Sequence, residues 1–310
     1  MRIARLVVCV LLCLVPSSCD IEDENELCCD KHKVVFRYTL GGVDCFSSYI
    51  TSMKYFLFDE EGMFLFELES ENGDISTVCL CNGIPSGTYS LVAVGNLIDY
   101  GTIDAEIDGG LAEFVLQVDD WLDDGTDAFA NGDKVYWGQV DFTLDQSNAE
   151  TFVCQMANIH CQMLIRVEWE SLPTYTDGYR YCLDDIGTIS ELNSYNAYSL
   201  GVQSFPLIPD YNGKMMEDVT LRQFALQATL YTLRITNEDM PIFRLYHDDE
   251  ILTPDIDISV AFTEWGIRPS LSQVQDYELL LTINDDGTVV LSRNLDSYIS
   301  DWEDGGYIGN

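Results

Sequence analysis

The side chain best placed for defined chemistry is the thiol of Cys19. Arg2 and Arg5 make a short basic start, Leu6 to Val15 an apolar run, and Ser17-Ser18 the small residues that a signal peptidase accepts beside its cut. Cleavage there would leave Cys19 as the first residue of the mature chain, the usual acceptor of a diacylglycerol group. Two or three acyl chains hold a protein at a membrane, whereas one chain gives only reversible binding. Pro16 stands three residues before the cysteine, where such signals commonly carry leucine, and an ordinary secreted protein with Cys19 as a plain thiol is the competing reading. The acidic run Asp20 to Glu26 follows at once.

Other reactive residue types are present without the spacing that would organise them. Eight cysteines follow Cys19, namely Cys28, Cys29, Cys45, Cys79, Cys81, Cys154, Cys161 and Cys182. They allow up to four disulfides in many connectivities, and sequence assigns none. Cys79 and Cys81 with Cys154, His160 and Cys161 could approach a zinc set, but no C-x2-C pair occurs, so no metal is expected. Asp119 to Asp127 is rich in carboxylates yet lacks the alternating Asp/Asn order and closing Glu of a calcium loop. His32, His160 and His247 stand in unrelated contexts, as tether, strand-preceding and strand-ending residues that suit surface or cap roles. With no nucleophile elbow, phosphate loop or zinc-protease pair, the chain reads as a non-enzyme without a cofactor. Trp121, Trp137, Trp169, Trp265 and Trp302 fall within or beside strand patterns and read as core. Tyr175, Tyr179, Tyr181, Tyr195 and Tyr198 lie in a stretch without a buried rhythm and form the candidate surface for glycan binding.

Charge narrows the partners. The 310-residue chain carries 15 basic and 53 acidic side chains, net −38. Without residues 1–18, which hold two arginines and no acids, 13 basic side chains stand against 53 acidic ones and the charge becomes −40. Such a field repels nucleic acid and bare anionic lipid. Hydrophobic residues at 47% and aromatic ones at 12% are enough for a packed core despite that charge. The leader is too short to cross a bilayer, which needs about 20 apolar residues, and no later stretch approaches that length.

The elements that must position these residues are strands. Residues 19–33 read as an acidic tether without periodicity. From Val34 the pattern has period two, with Val34, Phe36, Tyr38 and Leu40 on one face. Met53 to Phe58, the turn Asp59 to Gly62 and Met63 to Leu68 read as a hairpin, and Asn72-Gly73, Asn82-Gly83 and Asp108-Gly109 as further turns. More strands are predicted over 88–94, 111–118, 134–144, 162–169, 224–235, 242–246, 256–262, 277–283 and 288–292, with long loops and one short helix over 175–205. The expected class is all-β, with domains at 34–150 and 151–310.

Met53-Lys-Tyr-Phe-Leu-Phe-Asp-Glu-Glu-Gly62, Ile84-Pro-Ser-Gly-Thr-Tyr-Ser-Leu-Val-Ala-Val-Gly-Asn96 and Val135-Tyr-Trp-Gly138, with the Cys19 leader, resemble the fimbrillin-associated anchor and accessory lipoproteins of Bacteroidia type V pili. Asn158 to Trp169 and the closing hairpin match more loosely. The resemblance implies two tandem transthyretin-like β-sandwiches and a lipidated N-terminus at the outer face of the outer membrane. It further implies a non-enzymatic role in which a fimbrial subunit is engaged by strand complementation. A stalk or tip subunit, processed near Arg37, and a glycan-binding lipoprotein are the competing functions.

Overall fold

The computed structural model describes residues 32–70, 73–80, 84–97, 103–107, 109–118, 128–145, 147–197, 204–210, 213–222 and 225–293. The first half supplies β1 (His32–Arg37), β2 (Thr39–Leu40), β3 (Val43–Asp44), the one-turn helix α1 (Phe46–Tyr49), β4 (Met53–Asp59), β5 (Phe64–Leu68) and β6 (Thr77–Cys79). It continues with β7 (Gly87–Gly95), β8 (Ile103–Ile107), β9 (Phe114–Val118), β10 (Tyr136–Leu144), β11 (Glu150–Gln155) and β12 (Ala157–Asn158). The second half supplies β13 (His160–Trp169), β14 (Tyr179–Ile186), β15 (Ile189–Ala197), β16 (Ser204–Asp210), β17 (Gly213–Val219) and β18 (Ala225–Leu233). It ends with β19 (Ile242–His247), β20 (Glu250–Ile251), β21 (Ile256–Asp257), helix α2 (Ile258–Glu264), β22 (Gln275–Ile283) and β23 (Val289–Arg293). The all-β expectation holds.

One pairing scheme occurs twice. β1 lies between antiparallel β6 and parallel β11, while β4 lies between β5 and β7. In the second half β13 lies between antiparallel β18 and parallel β22, while β14 lies between β17 and β19. Corresponding strands come in the same chain order. A further sheet, β16-β15-β9-β8, draws strands from both halves.

That shared sheet explains why the buried pattern of β4 and β7 does not alternate. Tyr55, Leu57, Leu91 and Ala93 pack with Val34, Phe36 and Tyr38 on one face of their sheet. Phe56, Phe58, Val92 and Val94 pack with Phe114 and Leu116 of β9 on the other. A strand covered on both faces reads as a continuous apolar run. The second half has its own core, in which Met163, Ile165 and Val167 meet Tyr181, Leu245 and Phe262.

Local chemistry accounts for the motifs. The hairpin turn places Gly62 at φ +78°, where only glycine is unstrained, and Asp59 Oδ1 accepts from the amides of Glu61 and Met63 at 3.0 and 2.9 Å. In the Pro85-Ser-Gly-Thr-Tyr89 stretch the Tyr89 hydroxyl donates to the Pro85 carbonyl at 2.9 Å, fixing the entry to β7. Asn96 ends that strand at φ +60°, and its side chain accepts from Thr51 N and donates to Tyr49 O at 2.7 and 2.8 Å.

Two predicted segments differ. Residues 175–205 hold β14, β15 and the start of β16 rather than long loops and a helix. The rhythm of β14 is masked because Cys182 is buried on the face opposite Tyr181 and Leu183, and a bulge at Asp185, φ +57°, breaks the register. Residues 256–262 form two strand residues and then helix α2. Ile258, Ala261 and Phe262 are its buried positions, and the Asp257 carboxylate accepts from Ser259 N and Val260 N as an N-cap. The alternation of Ile256, Ile258, Val260 and Phe262 fits either period, and the cap decides.

Candidate assembly site

β1 is the strand whose seat bears most directly on assembly. It runs in full register against β11 from His32↔Glu150 to Arg37↔Gln155, and its other edge meets β6. Val34 is 0% and Phe36 1% exposed, whereas Arg37 points to solvent. Backbone bonds clamp the strand's far end, with Met156 N donating to Arg37 O and Cys45 N to Tyr38 O, both at 2.7 Å. Tyr38 is 1% exposed, so the Arg37–Tyr38 peptide bond joins an exposed side chain to a buried one. The chain occupies its own groove. β1 also begins two residues before the predicted strand, with His32 buried rather than in the tether.

The junction between the halves is polar and well bonded. His160 is buried within β13, not on the surface before it. Its Nδ1 lies 2.9 Å from Val135 O and its Nε2 3.1 Å from Asn158 Nδ2, which fixes the neutral tautomer with Nδ1–H donating. Burial, with the nearby Lys134 and Arg234 charges, pushes its pKa down to about 4. Arg234 donates to the carbonyls of Asn158, Pro269, Ser272 and Gln273, and Gln273 Nε2 donates to Thr39 O at 2.9 Å. The loop before β22 is thus tied to β2.

The remaining candidates are dispersed. Cys19, Cys28, Cys29, Cys81, the 119–127 loop, Trp121, Trp302 and Tyr198 lie outside the described residues. Cys79 is disulfide-bonded, while Cys45, Cys154, Cys161 and Cys182 are free thiols. Burial raises Cys154 to about 12 and Cys182 to about 11, so these two thiols are held protonated. Among the described residues no group of three or more His, Cys, Asp and Glu could hold a metal. The tyrosine platform is corrected in part. Tyr179 and Tyr181 are 2% and 0% exposed and belong to the second core, whereas Tyr175 is 43% exposed with its ring stacked on His247 at 3.6 Å. Trp137 is buried, and Trp169 and Trp265 pack against the second core, as expected. A cavity of about 470 Å³ beside α2 is lined by Thr236, Asp239, Phe262, Thr263 and Arg268. Asp239 is buried there and burial raises its pKa to about 6, while Phe262 is also part of the second core.

Among the described residues strand β5 presents an exposed apolar edge. It is the last strand of the order β12-β10-β7-β4-β5, and Phe64, Leu65 and Phe66 are 36%, 40% and 40% exposed, with Met63 at 52% before them. Met63 to Phe66 is an unbroken apolar run, which by itself reads as a strand covered on both faces, so the sequence pattern does not mark it as exposed.

A family model for the fimbrillin-A associated anchor proteins Mfa1 and Mfa2 matches residues 25–303. Among solved structures the chain is similar to a candidate adhesin from Bacteroides thetaiotaomicron, 12% identical, TM-score 0.59, covering 85% of this chain and 95% of that one. It is similar to a candidate polysaccharide-binding protein from the same species, 13% identical, TM-score 0.60, covering 85% and 97%. It is also similar to the fimbrial anchor protein Mfa2 from Porphyromonas gingivalis, 14% identical, TM-score 0.56, covering 84% and 94%. At these identities the likeness is one of fold. No curated protein matches.

Proposed function

The chain belongs to the family of fimbrillin-A associated anchor proteins, and from that premise we propose that it is a surface lipoprotein which anchors or caps a fimbrium. Family membership gives an accessory role in a fimbrium, association with fimbrial subunits and a place at the cell surface; the family is one of anchor proteins and not of enzymes. Among the described residues no helix is long and apolar enough to cross a membrane. In this reading the outer-membrane attachment is the acyl chains on Cys19, and the fimbrial subunit is engaged through strand complementation. The two tandem transthyretin-like sandwiches, 34–150 and 151–310, belong to the same proposal. The repeated pairing scheme supports them, although β11 and β12 extend the first set of sheets to residue 158.

The seat of β1 is the observation that carries the anchor role over a processed stalk or tip subunit. The strand is buried, bonded along both edges and continuous with the tether that leads to Cys19. Only 12 residues lie between Cys19 and His32, a reach of at most about 45 Å. Tension arriving through that tether would shear β1 along its length, loading its ladder bonds together. Mass spectrometry of the mature protein and co-purification from detergent extracts of envelopes test the reading. An acylated N-terminal Cys19 and a bound fimbrial protein are expected, and Cys19→Ala should move the chain to the soluble fraction. An unacylated mature chain, or one beginning at Tyr38, would overturn it.

A further inference from the structure

We propose that the free edge of β5 is a docking site for an extended apolar segment, flanked by basic residues, of a partner protein. The inference rests on the fimbrial reading for the partner's identity but not for its chemistry. Among the described residues β5 is a strand at the end of its sheet, paired with β4. Near its start the other side meets Gly110, which bridges to Met63 and packs so closely that a Cβ there would sit 2.6 Å from Gly62 O. From Phe64 to Leu68 no described strand follows.

The repeated pairing scheme makes this edge conspicuous. β17 holds in the second half the position that β5 holds in the first, beside β14 as β5 lies beside β4. β17 is covered, because Phe129 bridges to Met215 in parallel, donates from its amide to Lys214 O and accepts from Met216 N at 2.8 and 3.0 Å. The cap is an extended apolar segment, Ala128-Phe129, buried at 0% and 1%. β5 offers the same kind of edge with its apolar side chains exposed, and edges of this kind are normally blunted by lysine, proline or a covering segment. A bulge between Phe64 and Phe66 turns Leu65 outward, and no lysine or proline interrupts the strand.

Charge selects the occupant. Asp59, Glu60 and Glu61 precede β5 and Glu67 and Glu69 flank its end, with Lys54 the one cation from Met53 to Glu69. A second copy laid antiparallel would set these carboxylates against each other. The chain's own acidic ends, Asp20 to Glu26 and Asp296 to Glu303, carry the wrong sign. A strand with lysine or arginine at its flanks meets both the apolar row and the acidic borders.

The test is amide hydrogen exchange of the full mature chain with two peptides, a Val-Thr repeat flanked by lysine pairs and the same repeat flanked by glutamate pairs. The lysine peptide should slow exchange over 64–68 by about ten-fold or more. Leu65→Lys with Phe66→Lys, which alters only exposed side chains, should abolish that protection while leaving the thermal midpoint near wild type. Equal protection by the glutamate peptide, amides of 64–68 that face away from β4 already protected in the protein alone, or no added protection at all would each overturn the inference. Envelope co-purification separates the two readings. A fimbrial protein retained equally by wild type and the double-lysine variant leaves the anchor reading standing and removes β5. Protection by the lysine peptide without any fimbrial protein bound to wild type does the reverse.

Discussion

Cleavage after Arg37 should be slow in the native chain and strongly accelerated by Phe36→Ala. A protease must hold several residues in extended form on both sides of the bond, so β1 has to leave its groove and Tyr38 its pocket. Val34, Phe36 and Tyr38 are each at most 1% exposed, and burying such side chains is worth roughly 1.5–3 kcal/mol apiece. Taking about 6 kcal/mol for the three, the open form is populated at about one part in 10⁴, and cleavage in the rapid-reclosing regime follows that population. Phe36 touches the Tyr55 ring at a centroid distance of 5.1 Å. Its truncation leaves a cavity that costs about 3–4 kcal/mol, so the open population should rise by roughly 10² to 10³.

The assay is limited trypsin digestion of the mature chain, with the Arg37–Tyr38 cut followed by mass spectrometry and compared with the same bond in an unfolded peptide. Wild type cut within about ten-fold of the peptide's rate would refute the reasoning, since β1 would then not be held as its burial requires. Equal rates for wild type and Phe36→Ala would refute it too. Rapid cutting would also favour a processed subunit over an anchor.

Two buried groups give pH signatures of opposite sign. His160, pushed down to about 4, refuses a proton that the unfolded chain accepts near 6.5, so its contribution is full above pH 6.5 and lost towards pH 4, about 3 kcal/mol in all. His160→Gln should flatten that part of a urea-midpoint profile; an unchanged slope would refute the assignment. Asp239, raised to about 6, costs stability above pH 6 and relieves it as the pH falls towards its unfolded value near 3.8. Asp239→Asn should therefore stabilise at pH 7.5 by on the order of 2 kcal/mol, with the gain gone near pH 4, measured by the same unfolding series. A variant less stable at pH 7.5 would show that the carboxylate is needed there.

Strands with one buried face were legible because their period is two, as in β1, where Val34, Phe36 and Tyr38 all turn inward. Met163, Ile165 and Val167 of β13 read equally well. Where both faces are covered the rhythm weakens, as in β14, where Cys182 is buried opposite Tyr181. Helix α2 was hidden by the reverse ambiguity, an alternating apolar run that also meets a helical spacing, although Asp257 ahead of Ser259 was a usable cap signal. Tyr179 and Tyr181 sit among polar neighbours in sequence yet form core in space. The open edge at β5 is not legible in the sequence, since the apolar run Met63 to Phe66 reads as covered and its exposure depends on whether another segment lies beside it, as Phe129 does for β17.

The filled groove and the open edge bear on each other. A chain that keeps β1 in place cannot also accept a donor strand there, so complementation by this chain as an intact anchor requires another edge. β5 meets that need within the same half. Leu68 packs against the cluster that holds Val34 and Phe36, and β4 joins β5 to the rest of the sheet. If a partner strand pairs with β5, load passes through the β4–β5 ladder and this core into β1 and out along the tether towards Cys19. The second core then lies outside that path, and variants that soften it, such as Leu245→Ala, should weaken the fold without weakening retention of the fimbrial partner.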